Sequence, residues 1–243
     1  MRFSYSVVAS PLHDDHIVDE LTAPIRALLD ELDGAPGLGV SGGANENHPH
    51  VFVIATGGTE QAVLDLVAHR RLVEPDEPVV LITHGAHNSL PAALEALAAI
   101  QQDHGRGRIV STTGVREDDR AAVTDAIVDL EAIRRFRATK LGLIGGASSW
   151  LVASSPGADT VRRRWGPTVE IVEPERMVGS PPSDDIARRF VKLADPLRTT
   201  VDAGEVAAAS AIGTALTDVV EAERFDAVAV RCFDLLADPG TSG

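Results

Sequence analysis

Short apolar runs, each ending in a glycine or a polar turn and followed by a longer stretch with helical spacing, recur along the whole chain. The runs 3–9 (FSYSVVA), 51–55 (VFVIA), 78–83 (PVVLIT), 107–111 (GRIVS), 140–145 (KLGLIG), 167–172 (PTVEIV) and 226–236 (DAVAVRCFDLL) predict strands. The apolar character of 51–55 and 78–83 is that of strands covered on both faces. Apolar residues at Ile17, Leu21, Ile25, Leu28 and Leu29 share one helical face, which predicts a helix over 14–32. Further helices are predicted at 60–70, 90–102, 116–137, 156–165, 183–193 and 203–223, with Gly213 weakening the middle of the last.

Local chemistry supports several of these boundaries. Pro91 is tolerated because it falls in the first turn of its helix. The helix over 116–137 opens with Glu117, Asp118 and Asp119 and closes with Arg134, Arg135 and Arg137, the order that complements a helix dipole. The stretch 34–47 is rich in Gly and Asn and reads as a loop with a brief strand at 38–40. Residues 151–154 extend a loop or add a short strand.

Parallel strands need helical crossovers, so alternating strands and helices predict an α/β fold. The expected architecture is two tandem Rossmann-like, flavodoxin-like open parallel-sheet domains, 1–137 and 138–243, the second cut short at its C-terminal end. Unequal spacing and unlike loops exclude a solenoid of repeats.

Composition narrows the function classes. Only 4% of the 243 residues are aromatic while 44% are hydrophobic, so the cores must be built from Val, Leu, Ile and Ala. The formal net charge is −14, and both halves carry more acids than bases. The one dense basic run, Arg162-Arg163-Arg164, reads as a solvated helix face, so a nucleic-acid partner is not expected. Cys232 is the single cysteine, which excludes an intrachain disulfide framework and a multi-cysteine zinc site. With no leader after Met1-Arg2 and no run of about 18 continuous apolar residues, a cytoplasmic location without membrane contact is expected.

Open α/β sheets bind ligands beyond the carboxyl ends of their strands, and four stretches fall there: 57–60, 84–89, 145–150 and 231–234. Gly57, Gly58, Thr59 and Glu60 suit either close approach to an oxygen-rich ligand or simple turn and cap chemistry. Neither the dinucleotide fingerprint nor the phosphate-binding P-loop pattern is present. His84 and Asn88 are candidates for a sugar-hydroxyl or subunit contact; His84 and His87 are separated by Gly-Ala and are not fixed on one helix as a metal pair. His13, Asp14, Asp15 and His16 read as capping and solvation. Ser148 and Trp150, after Gly145-Gly146, can hold a ligand between backbone donors and an aromatic face, or serve turn and packing. Arg231 is placed to fix a domain contact or an anionic substrate. Cys232 beside it lacks a nearby histidine for nucleophilic chemistry.

Four stretches carry a family likeness: Gly57-Gly58-Thr59-Glu60, the segment 88–95 (NSLPAALE), the strand and loop 140–146 (KLGLIGG), and 230–236 (VRCFDLL). In that order they resemble the L-fucose isomerase and L-arabinose isomerase superfamily, in its compact fucose-isomerase-like members. The resemblance implies an aldose–ketose isomerase with two N-terminal Rossmann-like domains. It also implies a divalent cation, commonly manganese, held by a glutamate, an aspartate and a histidine from a later C-terminal region. Such a cation would hold two adjacent sugar oxygens and stabilise charge as hydrogen moves between C1 and C2.

The likeness stops before the first of those ligands, so it assigns no metal residue and no catalytic residue here. It makes the chain the N-terminal portion of such an enzyme, inactive alone and without a cofactor of its own. The implied partners are a sugar, a homo-oligomer and a C-terminal catalytic region. The alternative is a non-catalytic module for small-molecule binding or oligomer contact.

Overall fold

A computed structural model of the chain describes residues 2–37, 48–112, 116–195 and 200–232. The chain divides into two compact units, Met1–Arg134 and Arg135–Gly243.

In the first unit, strands β1 (Phe3–Val8), β2 (Gly34–Pro36), β3 (His50–Ile54), β4 (Val79–His84) and β5 (Gly107–Thr112) form one parallel sheet in the order β2-β1-β3-β4-β5. Helices α1 (Asp15–Glu31), α2 (Glu60–Arg71), α3 (Ser89–Gln102) and α4 (Glu117–Ala138) alternate with them. Right-handed crossovers in opposite directions send helices to opposite faces. Ile25, Leu28 and Leu29 of α1 and Val123, Ala126, Ile127 and Leu130 of α4 therefore share one core with Tyr5, Val51, Val53 and Ile82. On the other face Val63 and Val67 of α2 and Ala92, Ala93, Ala96 and Ile100 of α3 pack on Val8, Phe52, Ile54 and Leu81. Val51, Val53, Ile54, Leu81 and Ile82 are wholly buried, which accounts for strands without polar alternation.

The second unit carries a parallel sheet of β6 (Lys140–Ile144), β7 (Thr168–Val172) and β8 (Ala227–Val230), in the order β7-β6-β8. Helix α5 (Ala158–Arg164) links β6 to β7; a 3-10 turn (Pro174–Met177), α6 (Asp184–Leu193) and α7 (Ala203–Glu223) link β7 to β8. Ile144, Val172, Met177, Ala215, Val219 and Phe225 form its core. Asp202 and Glu205 close a reciprocal capping box at the start of α7. Gly213 sits where α7 meets α6, since a Cβ there would lie 3.0 Å from Ile186 Cγ2. Among the described residues α7 is the one helix long and apolar enough to cross a membrane by length and composition, and it contributes Ala215 and Val219 to the core.

Two expectations need adjustment, and one alternative is decided. The brief second strand lies at Gly34–Pro36, where it pairs with Phe3, Ser4 and Tyr5; the expected segment 38–40 lies outside the described residues. Of the two readings of 151–154, the structure has the extended loop, with bends at 152–154. The last strand ends at Val230, earlier than 236, and residues 233–236 lie outside the described residues.

Candidate functional site

In the first sheet the chain crosses from β1 to β2 in one direction and from β2 to β3 in the other. The loops that leave β1 and β3 therefore diverge and open a crevice at the carboxyl edge of the sheet. Three loops meet there: 9–14 after β1, 55–59 after β3 and 85–88 after β4.

Hydrogen bonds tie the loops together. Ser10 N–H donates to Thr56 Oγ1 at 2.8 Å, and Thr59 Oγ1–H donates to the Thr56 carbonyl at 2.8 Å. Gly57 N–H donates to the His87 carbonyl at 2.7 Å. That close approach needs glycine, because a Cβ at Gly57 would stand 2.7 Å from Asn88 Cβ. Ser89, fully buried, donates through Oγ to the Ile54 carbonyl at 2.5 Å and accepts from His84 N–H at 3.1 Å. We expect Ser89→Ala to cost about 1–3 kcal/mol, because it strands a buried carbonyl and a backbone N–H. Urea unfolding followed by far-UV circular dichroism checks this; an unchanged midpoint would refute it.

His84 is a structural residue of this crevice. Its Nε2 lies 2.9 Å from the Ala55 carbonyl, and its Nδ1 accepts from Ala86 N–H at 3.3 Å. This pattern assigns the proton to Nε2 of a neutral ring and occupies both nitrogens. Thr59 is likewise turned inward and buried, whereas Glu60 is half-buried in the first turn of α2.

The groups that face solvent are the exposed His87 and Asn88 and the partly buried His13, whereas Ser10 is buried and its Oγ accepts from Leu12 N–H at 3.4 Å. The rings of His13 and His87 meet edge to face with centroids 5.5 Å apart. His13 Nδ1 is shielded and has no hydrogen-bond partner. Asp14 caps α1 by accepting from His16 N–H at 2.8 Å, as its sequence position suggests. Neither Thr59 at α2 nor Asn88 at α3 places its side chain as a cap; the start of α2 is left without one, while at α3 Ser89 N–H donates to the Ala86 carbonyl at 3.1 Å and Pro91 has no N–H. His87, Asn88 and Gly58 all have positive φ, at 50°, 57° and 72°. Ser10 and Thr56 were not singled out in the sequence; their one signal is their place just after an apolar strand.

In the second unit, Ser148, Trp150 and Arg231 belong to loops after β6 and β8. Gly145 has φ +79°, and the Arg231 side chain lies across it: a Cβ there would be 3.2 Å from Arg231 Cβ. Arg231 Nη1 donates to the Ala147 carbonyl at 3.3 Å. Ser148 lines a cavity of about 570 Å³ together with Leu141, Leu143, Val169, Ala229 and Arg231. Trp150 and Cys232 are exposed. The expected site residues thus fall into two groups, one in each unit.

Manganese, implied by the resemblance, needs a set of anionic and imidazole donors. Among the described residues no group of three or more His, Cys, Asp or Glu side chains converges to hold a metal. The donors nearest one another in the first crevice are the two imidazoles of His13 and His87, which do not by themselves make a coordination sphere. Compared with known proteins, the chain matches no protein-family model and no curated protein sequence.

Proposed function

We propose that this chain is the N-terminal, substrate-presenting portion of an aldose–ketose isomerase of the L-fucose and L-arabinose isomerase kind. Two flavodoxin-like units would bind and orient a polyol, while the metal-holding catalytic residues belong to polypeptide outside these 243 residues. The proposal includes a cytoplasmic homo-oligomer in which these loops complete a sugar site. The strand order β2-β1-β3-β4-β5 of the first unit supports it, since that is the flavodoxin-like order, with its ligand crevice between the first and third strands.

The observation that carries the proposal is the composition of that crevice. Two imidazoles, the exposed Asn88 amide and the start of α2, which has no side-chain cap, stand at one opening. A polyol offers a donor and an acceptor at every carbon, and such a mixed set satisfies both. The charge balance fits a neutral ligand better than a polyanion, because Asp14 and Asp15 stand at the start of α1 and Glu60 at the start of α2.

The test is titration of the full chain with L-fucose and L-arabinose, followed by the His13 and His87 ring resonances. Saturable binding with a Kd of about 1–10 mM is expected, weakened about tenfold by His87→Ala, with no aldose–ketose conversion by this chain in added manganese. Absence of saturation sinks the polyol site. Turnover by the chain alone sinks the assignment of the catalytic residues to other polypeptide.

A further inference from the structure

The two sheets share a starting order. In the first unit the first strand lies between the second and the third, and in the second unit β6 lies between β7 and β8 in the same way. In the first unit the pattern continues: β3 pairs onward with β4, β4 pairs with β5, and α4 returns over the face already occupied by α1.

The second sheet lacks that cover among the described residues. Its back face is closed by the 3-10 turn and α7, which bury Ile144 and Val172 beside Val228 and Val230. Its front face presents Leu141, Leu143, Val169, Ile171, Ala227 and Ala229. On that side lie α5, a helix of 7 residues with none of them buried, and the loop before it, whose Ser148, Leu151 and Pro156 wall the cavity over the strands. Ile171 is 67% exposed, and the cavity of about 570 Å³ runs along Leu141, Leu143 and Ala229. Leu141, Leu143 and Val169 are half-buried and Ala227 and Ala229 exposed, so this face is only partly covered, whereas the crossovers and neighbours of a parallel sheet normally bury both sides. The outer edge of β8 is open in the same sense, since its one pairing among the described residues is with β6.

We infer that the front face of β6 and β8, with the outer edge of β8, is a docking site for an α/β polypeptide segment. That segment adds a parallel strand beside β8 and lays an apolar helix across Leu141, Leu143 and Ala229. Charge fixes the character of the helix. By the geometry of α4, it starts at the carboxyl ends of the strands, where the second unit carries Arg231, and α4 itself begins there with Glu117, Asp118 and Asp119. Alongside it α5 ends in Arg162, Arg163 and Arg164. The docked helix therefore has an acidic first turn and, unlike α4, no basic last turn. The inference deepens the proposed function by naming what the second unit binds, yet it stands on sheet geometry alone, so a failed sugar titration leaves it intact.

Amide hydrogen exchange on the full chain tests it in two steps. In the chain as it stands, the strand amides of β6 and β8 should exchange at least about a hundredfold faster than those of β3 and β4, independent of protein concentration. Next, a second copy of residues 78–133 (β4, α3, β5 and α4 without its terminal arginines) is appended after Gly243 through a flexible linker. Exchange in β6 and β8 should slow by about tenfold or more, and Leu143→Asp in the extended chain should abolish the gain. The inference is overturned if β6 and β8 are already as protected as β3 and β4, or if the appended segment leaves them unchanged. Protection that rises with chain concentration overturns it in favour of a second copy as the occupant.

Discussion

Glu77→Gln is expected to destabilise the first unit by about 3–5 kcal/mol, the largest effect of any single polar substitution considered. Glu77 lies in the turn between α2 and β4, and only 4% of its side chain is exposed. Its Oε2 accepts from Arg70 Nε at 2.5 Å and its Oε1 from Arg70 Nη2 at 3.0 Å, a bidentate pair. Arg134 of α4 approaches Oε1 at 3.2 Å and also holds Glu74 at 2.7 Å. Arg70 further donates to the His48 carbonyl at 2.7 Å, so one carboxylate ties together α2, α4 and the approach to β3.

Burial pushes the Glu77 carboxyl above its usual range, opposed by Arg70 and then Arg134, which shows how much desolvation the pair must overcome. Removing the carboxylate charge leaves Arg70, itself 6% exposed, without its counter-charge. The double variant Arg70→Met with Glu77→Leu should recover much of the loss, because apolar side chains of similar volume carry no desolvation cost. Both tryptophans, Trp150 and Trp165, belong to the second unit, so unfolding must be followed by far-UV circular dichroism and not by tryptophan emission. A midpoint for Glu77→Gln equal to that of the parent would exclude the network as a stabilising lock.

Acidification is the second expected effect. His50 opens β3 with its ring buried, its Nδ1 2.7 Å from Ser4 Oγ and its edge against Phe52 with centroids 4.7 Å apart. Burial, and then the charge of Arg70, lower its pKa from 6.5 to about 4. The unfolded chain therefore binds this proton more tightly than the folded one. Stability from the neutral ring is complete above pH 6.5, falls as the pH drops from 6.5 toward 4, and levels off below that; the whole window is worth on the order of 3 kcal/mol. Glu77 works with the opposite sign, since a carboxyl whose folded pKa is raised takes up its proton more readily in the folded state. Urea titrations across the window, compared with His50→Asn, isolate the histidine: the variant's stability should vary less with pH by about the stated amount. Equal slopes in the two proteins would assign the acid response to other groups.

Much of the architecture was legible because buried parallel strands leave a plain trace. The runs at 51–55 and 78–83 have no polar alternation, and both strands are buried on two faces by helices whose apolar positions repeat at helical spacing. Pro91, the acidic opening of α4 and Asp14 marked helix starts correctly for local reasons. The three-residue β2 left no such trace. Three residues carry no period, and this strand exists because the edge of β1 offers Phe3, Ser4 and Tyr5 as partners and an edge position tolerates Pro36.

The candidate site was legible in place but not in role. Position after a strand pointed to the loops at 57–60 and 84–89, and the structure sets both at one edge of the sheet, where crossovers put helix starts and turns. Which side chains face outward depends on partners far away in sequence. His84 spends its nitrogens on Ala55 and Ala86, Thr59 turns to Thr56, and Ser10 and His13 come to the crevice from the first strand.

By itself the sequence determined the alternation of strands and helices, the two sheets and the positions of their turns, since these follow from spacing and local steric preference. Only the tertiary structure decided the burial of Glu77 with its two arginines, the meeting of His13 with His87, and, among the described residues, the partly covered front face of β6 and β8. Each of these is a relation between residues set side by side by crossovers, and hydrophobic pattern along a chain contains no distance between its parts.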